Sequence, residues 1–549
     1  MKYSFLRAPL ALAVLPLLLV LAGCSKRETP VVEGYRTQTL QLGNLSEPND
    51  LDPAILDSQQ TFNIVMALIE GLCQYDAKTG DPVPAVAERW EVSADNLTWT
   101  FHLRPTARWS NGDPVTAGDF VYAFRRNLSA GLGAEYASML FCLENAQAFY
   151  QGKTKDFSTV GAVAADDHTL VLRLGHPVPY LPKLVCHSIW FPVHQATIEK
   201  FGRIDQRGTL WTRPGNYVGN GPFILKEWQP QQIIRVVKSP TYWNREEVRL
   251  NGINFYPIEN NSAEEAMFRT GQLHITSTMP PDKIPVYRND PRLKVFCSQA
   301  PMLATYYFVF NVSKPPLDDV RVRRALAYSI NRQEMVDHVT LGGQRPAGHL
   351  TPDDTSGFTA TANVTFDPVR ARQFLADAGY PGGKGFPRLE FLYNTNEGHR
   401  KIAEAVQQMW RRELGIDVTL TNQEAKVQID NLHQGNFQIA RFAWVGDYVD
   451  PSTFLDIMTG DSGNNDTRWK SAEYDRLISE AGRTADDAKR FALYQRCEQL
   501  LADECPIAPL YFYTRTNLRL PSVKGWYDNL VDLHPYTGVY LDPTDSPTP

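Results

Sequence analysis

The sequence predicts an α/β fold assembled from several domain-sized units, on three observations. Strand-like and helix-like stretches alternate from residue 37 to the C-terminal region, the pattern of layered α/β or α+β architectures. The 549 residues are 43% hydrophobic and 21% charged, a globular balance, and at roughly 150 residues per unit they supply three or four units. After the first 24 residues no apolar run approaches the ~20 residues needed to cross a bilayer. The formal net charge is -6, which excludes the strongly basic footprint of a nucleic-acid binder.

The elements follow in order. Residues 1–24 read as a secretory signal, with Lys2 and Arg7 before an apolar stretch over 10–21. It ends in Leu21-Ala22-Gly23-Cys24, which resembles a bacterial lipobox and implies lipidation of Cys24 and anchoring at a membrane surface. Removing residues 1–23 takes away Lys2 and Arg7 and no acidic residue, which carries the net charge from -6 to -8. Residues 25–36 are polar and predict a tether. LTWTFHL at 97–103 and HTLVLRL at 168–174 alternate as strands, and 223–228 with 233–237 predict a hairpin. Thr116 is placed to cap a helix within 115–126. Residues 318–338 carry Val320, Ala325, Leu326, Ile330 and Met335 at helical spacing. The clearest helix is 396–414, with Ile402, Ala405, Val406, Met409 and Trp410 on one face and Gly415 to end it. Residues 437–444 predict a buried strand, and 485–501 a helix that stops before Pro506. Residues 542–549 read as a frayed end.

Six cysteines follow Cys24: Cys73, Cys142, Cys186, Cys297, Cys497 and Cys505. None forms a C-x-x-C pair, so zinc and thioredoxin-like chemistry lose their usual signature. Export would favour disulfides, with Cys497–Cys505 the pairing expected first, although core packing explains buried cysteines equally well. Catalytic signatures are missing: there is no HExxH, no GxxxxGK[ST] and no GxSxG. Gly382-Gly383-Lys384-Gly385 lacks phosphate-loop spacing. Gly460-Asp461-Ser462-Gly463 spells a serine-protease-like tetrapeptide but reads as a turn. The eleven histidines make no close metal-ligand pair, and neither metal nor cofactor is expected.

One long stretch carries more. AERWEVSADNLTWTFHLRPTARWSNGDPVTAGDFVYAFRR, residues 87–126, resembles the signature of the extracytoplasmic solute-binding proteins that serve peptide ABC importers. Further blocks match in order: Leu51-Asp52-Pro53, Ile69-Glu70-Gly71-Leu72, Asn220-Gly221-Pro222-Phe223, SPTYWN at 239–244, DVRVRRALAYSI at 319–330, 392–395, and WVGDYVDPSTFL at 444–455. The resemblance covers essentially all of the chain after the signal and is nearest to the oligopeptide-binding subfamily. It implies a two-lobed periplasmic-binding-protein clamp (type II-like) that closes on a peptide about a hinge. Lobe I would comprise 37–73, 196–298 and 514–549, with a subdomain of 74–195 inserted, and lobe II would comprise 299–513.

The resemblance also implies a site. A peptide importer reads what all peptides share: backbone, ammonium and carboxylate. A buried ammonium needs a carboxylate partner, and Asp447 matches the family's amine-holding position. Arg441, six residues earlier in the apolar IARFAW run, matches a position that helps bind the carboxylate of shorter peptides; a permanent salt bridge is the structural alternative. His399 matches another carboxylate position, in the first turn of the 396–414 helix, where partial positive charge favours an anion. Trp444, Tyr136 and Tyr513 match ligand-lining positions, or else pack in the core. Two positions depart from the family: an acidic residue is replaced by Thr61, and a basic residue before His433-Gln434-Gly435 by Leu432. The expected function is non-enzymatic capture of short peptides for an ABC permease, by a monomer. Dipeptides, murein peptides, haem or nickel chelates on the same fold are alternatives, as are a hydrolase using Asp447, His399 or Ser462 and a periplasmic holdase.

Overall fold

The computed structural model describes residues 28–56 and 58–545. Cys24 and the signal segment lie outside the described residues. The chain builds three principal sheets and folds them into two lobes. In the first lobe, Thr39–Gly43 pairs in parallel with Gly252–Tyr256, which continues antiparallel to Ile233–Lys238 and Phe223–Gln229. A second four-stranded sheet runs Ala87–Val92, Thr98–Leu103, Thr169–Arg173, Ala162–Asp166, all antiparallel. In Thr98–Leu103 every second residue is buried, as the alternation predicted. The helix Ala117–Asn127 covers this sheet and begins with a capping box between Thr116 and Asp119. One continuous apolar core joins the two sheets, with Phe101, Trp109, Phe120 and Trp190 among its fully buried side chains.

The second lobe is a six-stranded mixed sheet, in order Arg345–Pro346, Ile507–Leu518, Cys297–Phe310, Ile439–Val445, Leu389–Asn394, Val418–Gln423. The last three strands are mutually parallel, and helices cover both faces over two separate cores. The helix Glu397–Leu414 starts at the Asn396 cap and stops at Gly415, whose φ of 69° is left-handed.

Two strands are much longer than the rest. Cys297–Phe310 and Ile507–Leu518 pair antiparallel, broken in register between Pro301 and Thr305. One end belongs to the second lobe. The other is tied into the first, where Leu518 N donates to Thr276 Oγ1 at 2.9 Å and Thr276 N to Leu518 O at 2.9 Å. These strands are the hinge. The lobes also touch across the cleft: the Tyr180 and Tyr448 rings stack at 5.6 Å and 8°, and Lys183 Nζ donates to Val449 O at 2.8 Å. Among the described residues no helix is long and apolar enough to cross a membrane.

The structure differs from the sequence reading in three places. The tether expected over 25–36 is helical from residue 30: Pro30–Thr37 is capped by Thr29, buries Val31, and its Tyr35 hydroxyl bonds Ser522 Oγ at 2.9 Å. The expected single helix over 318–338 breaks after Tyr328, where Asn331 caps a new turn, Arg332–Met335, that runs into a π-helical turn. All six described cysteines are free thiols. Cys497 lies within the helix Asp487–Glu504 and Cys505 is its C-cap. Eight residues of helix advance about 12 Å, beyond the ~7 Å Cα limit for a disulfide, and the two cysteines pack into different cores.

Candidate functional site

The three parallel strands of the second lobe end at one edge, facing the first lobe. Ligands of open α/β sheets bind outside the carboxyl ends of the strands. Asn394, the first turn of the Glu397–Leu414 helix and the 445–447 segment all belong to this edge.

Asp447 follows the end of Ile439–Val445. Gly446 lets the chain turn there: its N–H donates to Leu303 O at 2.8 Å, and an added Cβ would stand 2.7 Å from the Leu303 side chain. Asp447 N is held by Thr453 Oγ1 at 3.0 Å, but its carboxylate has no partner among the described residues. Burial pushes that carboxyl up to about 7. It opens onto a cavity of about 250 Å³, shared with Phe62, Tyr75, Tyr136 and His187 of the first lobe. Burial raises the Tyr75 and Tyr136 phenols, and the nearby Asp447 charge raises them further. The Tyr75 hydroxyl is buried with no partner among the described residues.

Arg441 anchors a second cluster. Along Ile439–Val445 side chains alternate between faces. Arg441 shares a face with Tyr306 and Tyr511, and Phe442 and Trp444 pack into the core on the other face. Its guanidinium donates to Asn394 Oδ1 at 3.1 Å and to the Tyr513 hydroxyl at 3.2 Å, and stands 4.9 Å from the Tyr306 ring centre. Nε is buried and unpartnered. Every one of these neighbours is neutral: no carboxylate pairs with Arg441 among the described residues, so the permanent salt bridge is not made. His399 joins the cluster through Tyr306, its Nδ1 3.5 Å from the hydroxyl. Burial, aided by the Arg441 charge, pushes its pKa down to about 3, which keeps the ring neutral.

The predicted residues therefore form two groups. Asp447 and Tyr136 meet at one cavity; Arg441, His399 and Tyr513 meet at the other group. Trp444 faces away from Arg441, and its buried Nε1 lacks a partner. Leu432 is fully buried in the core of the second lobe, and Thr61 bonds Ser58 Oγ at the start of the helix Gln59–Leu68. Ser462 sits in a turn, its Oγ accepting from Asn464 N at 3.3 Å. Among the described residues no cluster of His, Cys, Asp and Glu is arranged to hold a metal.

Residues 81–466 match the sequence model of the bacterial extracellular solute-binding proteins, family 5. The chain belongs to that family. It is 38% identical over 498 residues to the periplasmic oligopeptide-binding protein OppA of Escherichia coli (strain K12), covering 89% of this chain and 90% of that one. It is also 38% identical over 489 residues to the periplasmic murein peptide-binding protein MppA of the same organism, with 87% and 88% covered. The solved structure of Haemophilus influenzae OppA in complex with RPPGFSPFR superposes with a TM-score of 0.79 at 34% identity, covering 92% of this chain and 99% of the other. The fold is the family's two-lobed clamp.

Sequence reasoning missed Tyr75, His187, Tyr306 and Asn394. Tyr75 and His187 lie more than 250 residues before Asp447, and only lobe closure brings them to it. Tyr306 carried one usable signal: it sits in a run of alternating aromatics, YYFVF, beside the hinge.

Proposed function

We propose that this protein captures short peptides between its lobes and delivers them to an ABC importer in the bacterial envelope, as a monomer held there through a lipid on Cys24. It acts by binding and performs no catalysis. Lobe I comprises 37–73, 196–298 and 514–549, with 74–195 inserted, and lobe II comprises 299–513.

One observation carries this reading. A half-buried guanidinium and a half-buried carboxylate, each without a charged partner among the described residues, stand at and just beyond one strand facing an interlobe cleft. Leaving either ion unpaired costs several kcal/mol, and a zwitterionic chain satisfies both at once. Asp447 would take the ammonium, with Tyr75 and Tyr136 around it. Arg441 would take the carboxylate, supported by Tyr513, while neutral His399 donates a hydrogen bond at the helix N-terminus. Six residues of strand set an upper limit of about 20 Å between the Asp447 and Arg441 Cα atoms, the span of five or six residues of extended peptide.

Titration calorimetry with three- to five-residue peptides tests this directly. Free peptides should bind, and the same peptides N-acetylated should lose most of their affinity. Equal affinity for acetylated and free peptides would refute the Asp447 assignment.

A further inference from the structure

We infer that His187 is a specificity-determining residue: its Nε2–H donates to a neutral acceptor on the first side chain of the bound peptide. The inference rests on the peptide reading and adds a preference that charge pairing at the termini does not supply.

The tautomer is fixed by the chain itself. His187 precedes the short helix Ser188–Trp190, and its Nδ1 accepts from Ile189 N at 3.2 Å. A ring nitrogen that accepts carries no proton, so a neutral ring carries its proton on Nε2. Its partly buried setting keeps the ring neutral by pushing its pKa down to about 4. The ring's orientation is fixed as well. Tyr136 packs at 4.7 Å between centres, and Phe62 stacks at 6.1 Å and 17°. Nε2 has no partner among the described residues, and His187 lines the Asp447 cavity.

Of the cavity's other polar groups from the first lobe, Ser58 and Gln59 are committed, whereas the Tyr75 and Tyr136 hydroxyls make no hydrogen bond among the described residues. Ser58 Oγ accepts from Thr61 N and bonds Thr61 Oγ1. The Gln59 amide donates to Val531 O and Asp532 O. The remaining walls include Leu56, Val531 and Leu533. At about 250 Å³ the cavity is far larger than an ammonium group needs; a water takes ~30 Å³ of liquid. It has room for a side chain. The ammonium itself goes to Asp447, because an N–H donor offers it nothing. The Asp447 charge in the same cavity disfavours an acidic side chain, and a basic one brings no acceptor. Hydroxyl and amide side chains are left, so serine, threonine or asparagine as first residue is the favoured class. An apolar first residue leaves the His187 donor buried and unpaired.

The test compares asparagine and leucine, which have nearly the same shape, as first residue of otherwise all-alanine peptides of three and four residues. Affinities are measured for the parent and for His187→Phe, which keeps a ring between Tyr136 and Phe62. The ratio of asparagine to leucine affinity should fall by about tenfold in the variant, the scale of one hydrogen bond, while the leucine peptides bind at least as tightly as to the parent. A ratio unchanged within twofold would overturn the assignment. If His187→Phe binds neither peptide, His187→Asn decides in the same way, since its side-chain oxygen can still accept from Ile189 N. If the parent binds no peptide of either length, the peptide reading itself fails, a result distinct from an unchanged ratio.

Discussion

At the scale of single residues, Asp447 is the group whose charge bears most on the proposed binding. Its carboxyl titrates at about 7 because burial penalises the charge and no cation offsets it. A bound ammonium favours the carboxylate and lowers that value. Binding below pH 7 must therefore expel a proton, and affinity for free-amine peptides should fall by up to about tenfold per pH unit between pH 7 and 5.5. Above pH 8 affinity should fall again, because the peptide's own α-ammonium, whose pKa lies near 8, loses its proton. Calorimetry in buffers of different ionisation enthalpy reads the released proton directly, and Asp447→Asn should abolish both the release and the slope. Asp447→Ala should weaken binding by about 3–5 kcal/mol, the cost of stripping one partner from a buried ion pair, without unfolding the chain. The role proposed for Asp447 comes from the sequence, where its neighbours 444–455 form a recognisable block. His187 and Tyr75 carry no such local sign. Their importance comes from contacts over long sequence distances, which a local pattern does not encode.

At the scale of elements, the strand Ile439–Val445 does two jobs. Its inner face anchors Arg441 among tyrosines, and its end presents Asp447. Arg441→Ala should weaken the peptide length whose carboxylate it meets more than other lengths, measured across a series of two to six residues. A uniform effect would place Arg441 in structural support of the sheet. A second element prediction concerns Asp456, in the turn Asp456–Met458. Burial first, and the Asp450 charge second, raise its carboxyl to about 7. An acid whose folded pKa is raised destabilises the fold once pH exceeds its unfolded value near 4, and the penalty is complete above 7. At pH 8 this amounts to up to about 4 kcal/mol. Asp456→Asn should therefore raise Tm by a few degrees at pH 8 and change it little at pH 4.5. The 396–414 helix was legible to within a residue because an Asn cap, an apolar stripe and a terminal glycine agree. The break after Tyr328 was not, because Ile330 and Met335 keep the helical spacing across it while Asn331 caps a new turn.

At the scale of the whole molecule, the two lobes touch across the cleft, and the contacts between them are specific. Tyr180 stacks on Tyr448, and Lys183 reaches Val449 O and Ser356 Oγ across the seam. Residues 448 and 449 directly follow Asp447, so a ligand held there reinforces the same contact. Lys183→Ala combined with Tyr180→Ala should shift the ligand-free protein toward an open form, seen as a larger radius of gyration in solution scattering, and peptide should restore the compact value. Closure on peptide would then appear as a ligand-driven population shift. The sequence showed the lobes only through ordered motif blocks. The hinge was not legible, because it depends on the length and pairing of two strands about 200 residues apart.

The central claim is that the cleft holds peptides by their two ends. Native mass spectrometry of the soluble chain from residue 25, purified without added ligand, tests it most directly. Mild denaturation should release a spread of masses matching free peptides of about three to six residues. Release of one non-peptide compound, or an empty protein that also fails to bind defined peptides of those lengths, would contradict it.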